Sequence, residues 1–133
     1  MELITNNYQL STKSMKYVDL NVWTESRELV KLVYKLTAPF PKEEVYGLTS
    51  QIRRCAVSVP SNIAEGCGRR TSKETIHFLY ISRGSLYELE AQVYISIDMD
   101  YVSKDKSEIM LNKITVCKKL LNGFINYYKK KQA

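Results

Sequence analysis

Apolar positions along this chain recur at steps of three and four almost without interruption, the spacing of one face of an α-helix. The first run is Val22, Ser26, Leu29, Val30, Val33 and Leu36 or Thr37, flanked by Trp23. Asp19 stands where an N-cap is expected and Pro39 and Pro41 end the run, which predicts a helix over about residues 20–37. Pro41 then suits the first position of a second helix, with Glu43 and Glu44 in the first turn, where the macrodipole favours acids. Its face reads Val45, Leu48, Ile52, Cys55, Val59, Ile63 and keeps register straight through Pro60. Proline removes one backbone hydrogen bond and crowds the carbonyl four residues back, here that of Ala56. The expectation is one helix over 42–66, kinked near Pro60, with Ser58, Ser61 and Asn62 satisfying the freed backbone groups and Gly66 and Gly68 ending it.

Thr71-Ser72-Lys73-Glu74 is a capping box for a third helix over about 72–99. Its seam, Thr75, Leu79, Ser82, Leu86, Leu89, Val93, Ser96, has the four-three alternation of a coiled-coil-like bundle, and small Gly84 and Ser85 would let another backbone come close. Ser103 caps a fourth helix over about 104–130, with the face Met110, Ile114, Cys117, Leu121, Phe124, Tyr128. No segment shows a convincing period of two. The fold class is all-α, and an antiparallel up-down four-helix bundle satisfies the helix lengths and short loops most simply. The organisation expected is a flexible N-terminal arm over 1–17, one bundle domain over 18–130 and a basic tail over 131–133.

At 133 residues, one domain buries about 70% of its unfolded surface and needs neither disulfide nor metal to fold. No apolar run approaches the length of a membrane span, and the N-terminus has no apolar core behind a basic start, so a cytoplasmic location is expected, with no membrane partner. The three cysteines, Cys55, Cys67 and Cys117, are widely spaced, no CxxC occurs, and His77 is the only histidine. A zinc site needs about four close N/S ligands, so no metal and no cofactor are expected. Cys55 and Cys117 fall on apolar helical faces, while Cys67, between two glycines, is the more exposed thiol on this reading.

Charge changes the picture. The net +6 of the chain is the charge of residues 104–133 alone, where eight lysines face Asp105 and Glu108. Such a localised field attracts phosphate backbones or acidic surfaces, although a solubilising helix face gives the same count. Lys118, Lys119, Lys129, Lys130 and Lys131 are the candidate phosphate contacts, with Arg53, Arg54, Arg69 and Arg70 as a second patch. Arginine forks bind phosphate and carboxylate equally well, so that second group is also readable as an ion-pair network around the helix two–three junction. Tyr80, Tyr87, Tyr94 and Tyr101 recur every seven residues beside the third helix's seam. They are readable as a widened core, a subunit interface or a base-stacking platform, and the expectation is that all four line the subunit interface of an oligomer. No pairing of nucleophile and base, no P-loop and no Glu-x-x-His motif is present, so a non-enzyme is expected.

Trp23, Phe40-Pro41, Gly47-Leu48, Gln51-Ile52-Arg53-Arg54, the run from Ser58 to Gly66 (SVPSNIAEG), Gly68-Arg69 and the run from Gly84 to Glu90 (GSLYELE) give a specific signature. Over about residues 18–125 the chain resembles the four-helix-bundle family of the 23S rRNA intervening-sequence protein. More loosely it resembles the accessory variability determinant of diversity-generating retroelements. Within the signature, Pro60, Asn62, Glu65, Gly66, Gly84 and Ser85 are the structural positions. The resemblance implies a bacterial cytoplasmic up-down bundle that forms a homo-oligomer, a pentameric ring in relatives. It also implies RNA or DNA as a partner and, by way of the retroelement relatives, a reverse transcriptase as a possible protein partner. It carries over no catalytic residue. The N-terminal arm and the lysine tail lie outside it.

Overall fold

Helix α1 (Asn21–Thr37) buries Val22, Ser26, Leu29, Val33 and Thr37, the face its spacing predicts. The structure, a computed structural model, describes residues 16–132; most of the arm expected over 1–17 therefore lies outside the described residues. Asp19 does not cap α1. It ends a 3-10 turn, Tyr17–Asp19, and Leu20 takes the N-cap position without a side-chain bond. Packing decides this entry: the Tyr17 ring meets Trp23 edge-on at 5.1 Å, and the Thr24 hydroxyl donates to the Leu20 carbonyl.

The second helix starts later than its apolar pattern suggests. Lys42–Glu44 forms a separate 3-10 turn, and α2 runs Leu48–Cys67. Gly47, at φ −111° and ψ −115°, breaks the helical path, and the Glu44 carboxylate reaches forward to accept the Leu48 N–H at 3.0 Å. Val45 consequently drops off the seam and is 53% exposed. From there α2 is unbroken through Pro60. Asn62 Nδ2 donates to the Ser58 carbonyl and hydroxyl, both at 2.9 Å, while Ser82 of the next helix donates to the Val59 carbonyl at 2.8 Å.

Helix α3 (Ser72–Asp98) opens with the predicted capping box, and all seven predicted seam residues are buried. Helix α4 (Lys104–Gln132) begins with the Ser103 hydroxyl accepting the Lys106 N–H. Its core face is Met110, Ile114, Cys117, Leu121 and then Ile125; Phe124 and Tyr128 are half-buried beside it. An α-helix drifts about 20° per heptad against a 3.5-residue period, which moves the last core position by one residue. Lys131 and Gln132 remain helical, so the basic tail continues α4.

The helices pack in chain order, α1 on α2, α2 on α3, α3 on α4 and α4 back on α1, which closes an up-down four-helix bundle; no strand occurs among the described residues. The α2–α3 pair is the most extensive. It is zipped by small polar groups: Thr75 Oγ1 donates to the Gly66 carbonyl at 2.8 Å, Ser58 and Ser85 share a 2.8 Å bond, and Cys55 Sγ donates to the Ser85 carbonyl. A Cβ on Gly66 would come within 3.1 Å of the Thr75 carbonyl, so glycine is what lets these helix ends close.

Helix α3 ends in a Schellman motif. Tyr101 N–H bonds to the Ser96 carbonyl, Asp100 N–H to that of Ile97, and Asp100 takes the left-handed conformation at φ 59°. The reversal turns Tyr101 inward, where its ring packs on Phe40 and its hydroxyl donates to Glu44 Oε2 at 2.7 Å. The Leu48 N–H and then the Tyr101 hydroxyl hold the Glu44 carboxyl below its ordinary range, and the Glu44 carboxylate holds the Tyr101 phenol above its own. A depressed folded pKa contributes stability above the unfolded value and loses it as pH falls through the folded value. Tyr101→Phe should therefore flatten the acid limb of a melting temperature–pH curve below about pH 4.5, the ordinary glutamate value. An unchanged acid limb would show that the Tyr101 hydroxyl adds nothing to the acid stability and that the Leu48 N–H alone holds Glu44 down.

Candidate nucleic-acid interface

The up-down topology puts the C-terminal ends of α2 and α4 at the same end of the bundle as the N-terminal ends of α1 and α3. Lys129, Lys130 and Lys131 in the last turn of α4 therefore join Arg69, Arg70 and Lys73 from the α2–α3 connection. Two patches that the sequence keeps about 60 residues apart become one basic end. Glu65 and Glu74 are the acids near it on α2 and α3, and both are engaged locally, Glu65 with Arg69 and Glu74 in the capping box.

The candidate cations differ in how free they are. Lys118 is half-buried, pairs with Glu90 at 2.9 Å and lies 4.0 Å from the Tyr87 ring centre. Arg53 is a strut between helices: its Nε donates to Thr37 Oγ1 at 2.9 Å, and the guanidinium covers the Tyr34 ring. It lies well away from the basic end, because Thr37 ends α1 at the opposite pole. Arg69 pairs with Glu65 and stacks over Phe78 at 4.5 Å. Arg54, Arg70, Lys119 and Lys130 are exposed, with no ion pair among the described residues. Lys129 leans over Tyr80, and Lys131 over Tyr127 and Tyr128, contacts that leave both amines exposed. The open cationic set at this end is therefore Arg70, Lys129, Lys130 and Lys131, with Lys73, which the sequence reading did not single out. Its position one residue into α3 was the available signal.

Of the heptad tyrosines, Tyr80, Tyr87 and Tyr94 are 37%, 54% and 53% exposed and line the outside of α3. They are not bundle core. Tyr101 leaves the stripe at the Schellman turn. Pro60, Asn62, Glu65, Gly66 and Ser85 all belong to the α2–α3 zipper or its end, whereas Gly84 faces outward.

No nucleophile is prepared at the cysteines. Burial pushes Cys55 up to about 12 and Cys67 and Cys117 to about 11, so all three remain thiols at neutral pH. Cys67, expected to be the exposed thiol, is half-buried and packs against the core. Among the described residues no three His, Cys, Asp or Glu side chains gather closely enough to hold a metal ion, and no helix is long and apolar enough to cross a membrane. An open cleft of about 280 Å³ lies at the pole away from the basic end, lined by Leu32, Leu36, Ile109 and neighbours.

The molecule is thus a basic-ended up-down helical bundle. Comparison with known proteins narrows that class: the model of the 23S rRNA-intervening sequence protein family matches residues 18–123, and the chain belongs to that family. Among solved structures it is similar to a protein of unknown function from the S23 ribosomal protein family of Bacteroides thetaiotaomicron. That likeness has a TM-score of 0.70 at 24% identity and covers 78% of this chain and 97% of that one. It bears on the fold. No curated protein matches.

Proposed function

We propose that this protein is a non-enzymatic, homo-oligomeric nucleic-acid-binding protein that engages phosphate backbones with low sequence specificity. The observation that carries this reading is the convergence of Arg70, Lys73 and Lys129–Lys131 on one end of the bundle. Like charges spread over a solubilising surface have no reason to gather; a phosphate surface gives them one. Membership of a family named for an insertion in 23S rRNA supports the same reading. Self-association multiplies the effect, since every copy adds +6 to the particle. A cytoplasmic location accords with it.

A second reading, a protein–protein adaptor that binds no nucleic acid directly, draws on the exposed apolar face of α3, and a reverse transcriptase is one partner of that kind. The two separate in a salt series. Purified protein is titrated against labelled RNA and DNA duplexes from low to physiological salt, with its mass read by light scattering in the same buffers. Tight binding that weakens steeply with salt, by an oligomer, is the expected result. Absence of binding even at low salt would overturn the nucleic-acid reading and leave the adaptor.

A further inference from the structure

Aromatic rings gather where the open cations do. Phe124, Tyr127 and Tyr128 stand on the last turns of α4, just ahead of Lys129, Lys130 and Lys131. The Tyr127 ring lies nearly parallel to Phe124, at 8°, and meets Tyr128 edge-on with centres 5.2 Å apart. Tyr128 anchors the trio: it packs against the core, and burial pushes its phenol up to about 12. Tyr127 is held by these neighbours and is still 53% exposed. The Lys131 amine lies 5.3 Å from its ring centre.

The start of α1 brings a second arrangement of this kind to the same end. Tyr17, 39% exposed, meets Trp23 edge-on, and Arg27 lies over the Trp23 ring at 5.4 Å. Exposed tyrosines elsewhere do not share the pattern. Tyr46 and Tyr94 meet neither another ring nor a cation among the described residues. A duplex makes use of the cations alone, because its base faces are already covered by the neighbouring pairs. An exposed ring beside those cations gains nothing from it. A single strand offers both phosphates and free base faces, and a base stacks on an aromatic ring whatever its identity.

We propose that the basic end binds single-stranded nucleic acid in preference to duplex, with a base stacked on Tyr127 and the adjoining phosphates on Lys130 and Lys131. This rests on the nucleic-acid reading above and deepens it by naming the form of the ligand. Phe124 and Tyr128 fix the Tyr127 ring in advance, so little side-chain freedom is lost when a base arrives. The Lys131 amine that leans on the ring in the free chain is drawn to a phosphate, which uncovers the ring face. Stacking tolerates any base, in keeping with low sequence specificity.

The test uses the full chain in one buffer at fixed salt. The probes are labelled RNA and DNA strands of mixed sequence, the duplex of each, and an abasic DNA strand of equal length. Stacking is indifferent to the sugar, so both strands should bind at least about tenfold more tightly than their own duplexes. The abasic strand keeps the phosphates and should bind about fivefold or more weaker than the intact DNA strand. Tyr127→Leu should lose about the same factor against the intact strands, with its salt slope and duplex affinity unchanged, since no phosphate contact is removed. Tyr127→Phe keeps the ring and should bind like wild type. Helicity by circular dichroism should be kept in both, because Tyr127 is exposed. A chain that binds neither strand nor duplex at low salt would overturn this inference together with the nucleic-acid reading. Duplex bound as tightly as single strand would overturn the inference alone, as would an abasic strand or a Tyr127→Leu variant that binds undiminished. Should leucine disturb the fold, the abasic strand decides the matter with the wild-type chain.

Discussion

Replacing Lys129, Lys130 and Lys131 together by glutamate should weaken duplex binding at least 100-fold near physiological salt and lower the log–log salt slope by about 3. Each phosphate contact releases about 0.9 counterion on a duplex, so three lost contacts set the size of the slope change. The three lysines occupy the last turn of α4, are exposed and support no core residue, so the bundle should stay folded. Their amines favour the negative end of the helix dipole, and losing that adds only a small destabilisation. The control is Lys35, Lys104 and Lys106 changed to glutamate at the opposite pole, an equal change in net charge. Its slope should stay near that of wild type. Equal weakening in both triples would mean that total charge, rather than the basic end, attracts the ligand; no change in the tail triple would remove those lysines from the interface.

Leu86→Ala should cost about 3 kcal/mol and lower the melting temperature by about 10 °C, with the cooperativity of unfolding retained. Leu86 is fully buried at the middle of α3, the helix that packs on both α2 and α4. Truncating it leaves a cavity that rigid neighbouring helices fill poorly, because the α2–α3 pair is pinned in the turn before it by the Ser82–Val59 and Ser58–Ser85 bonds. Tyr87→Ala, one residue away but 54% exposed, should cost the isolated chain far less. Comparable losses in thermal melts of the two would contradict the assignment of inner and outer faces on α3.

The inner seams were readable in advance because a helix's buried face is a local property. Thr75 through Ser96 alternate by four and three, and a bundle needs no more than that to select its core face. The capping box at Thr71 and Glu74 was equally plain, being a short-range exchange of bonds. The errors fell where distant segments compete with local preference. Asp19 is a good cap by composition, yet Tyr17 against Trp23 sets the entry to α1. Pro41 and the two acids after it suit a helix start, yet Glu44 is drawn to Leu48 and to Tyr101, 57 residues on. The tyrosine repeat every seven residues promised four equivalent rings, and the left-handed Asp100 takes the fourth out of line.

The sequence by itself determined the four helices, their inner faces and the excess of positive charge in α4, since periodicity and composition act over a few turns. Only the tertiary structure decided which of those charges are free. Arg53, Arg69 and Lys118 read as candidates equal to Arg70 and Lys130, but the first braces α1, the second holds Glu65, and the third holds Glu90. The up-down topology alone brings the α2–α3 turn beside the end of α4. A charge acts through its neighbours in space, and in a bundle those neighbours come from other helices, tens of residues away along the chain.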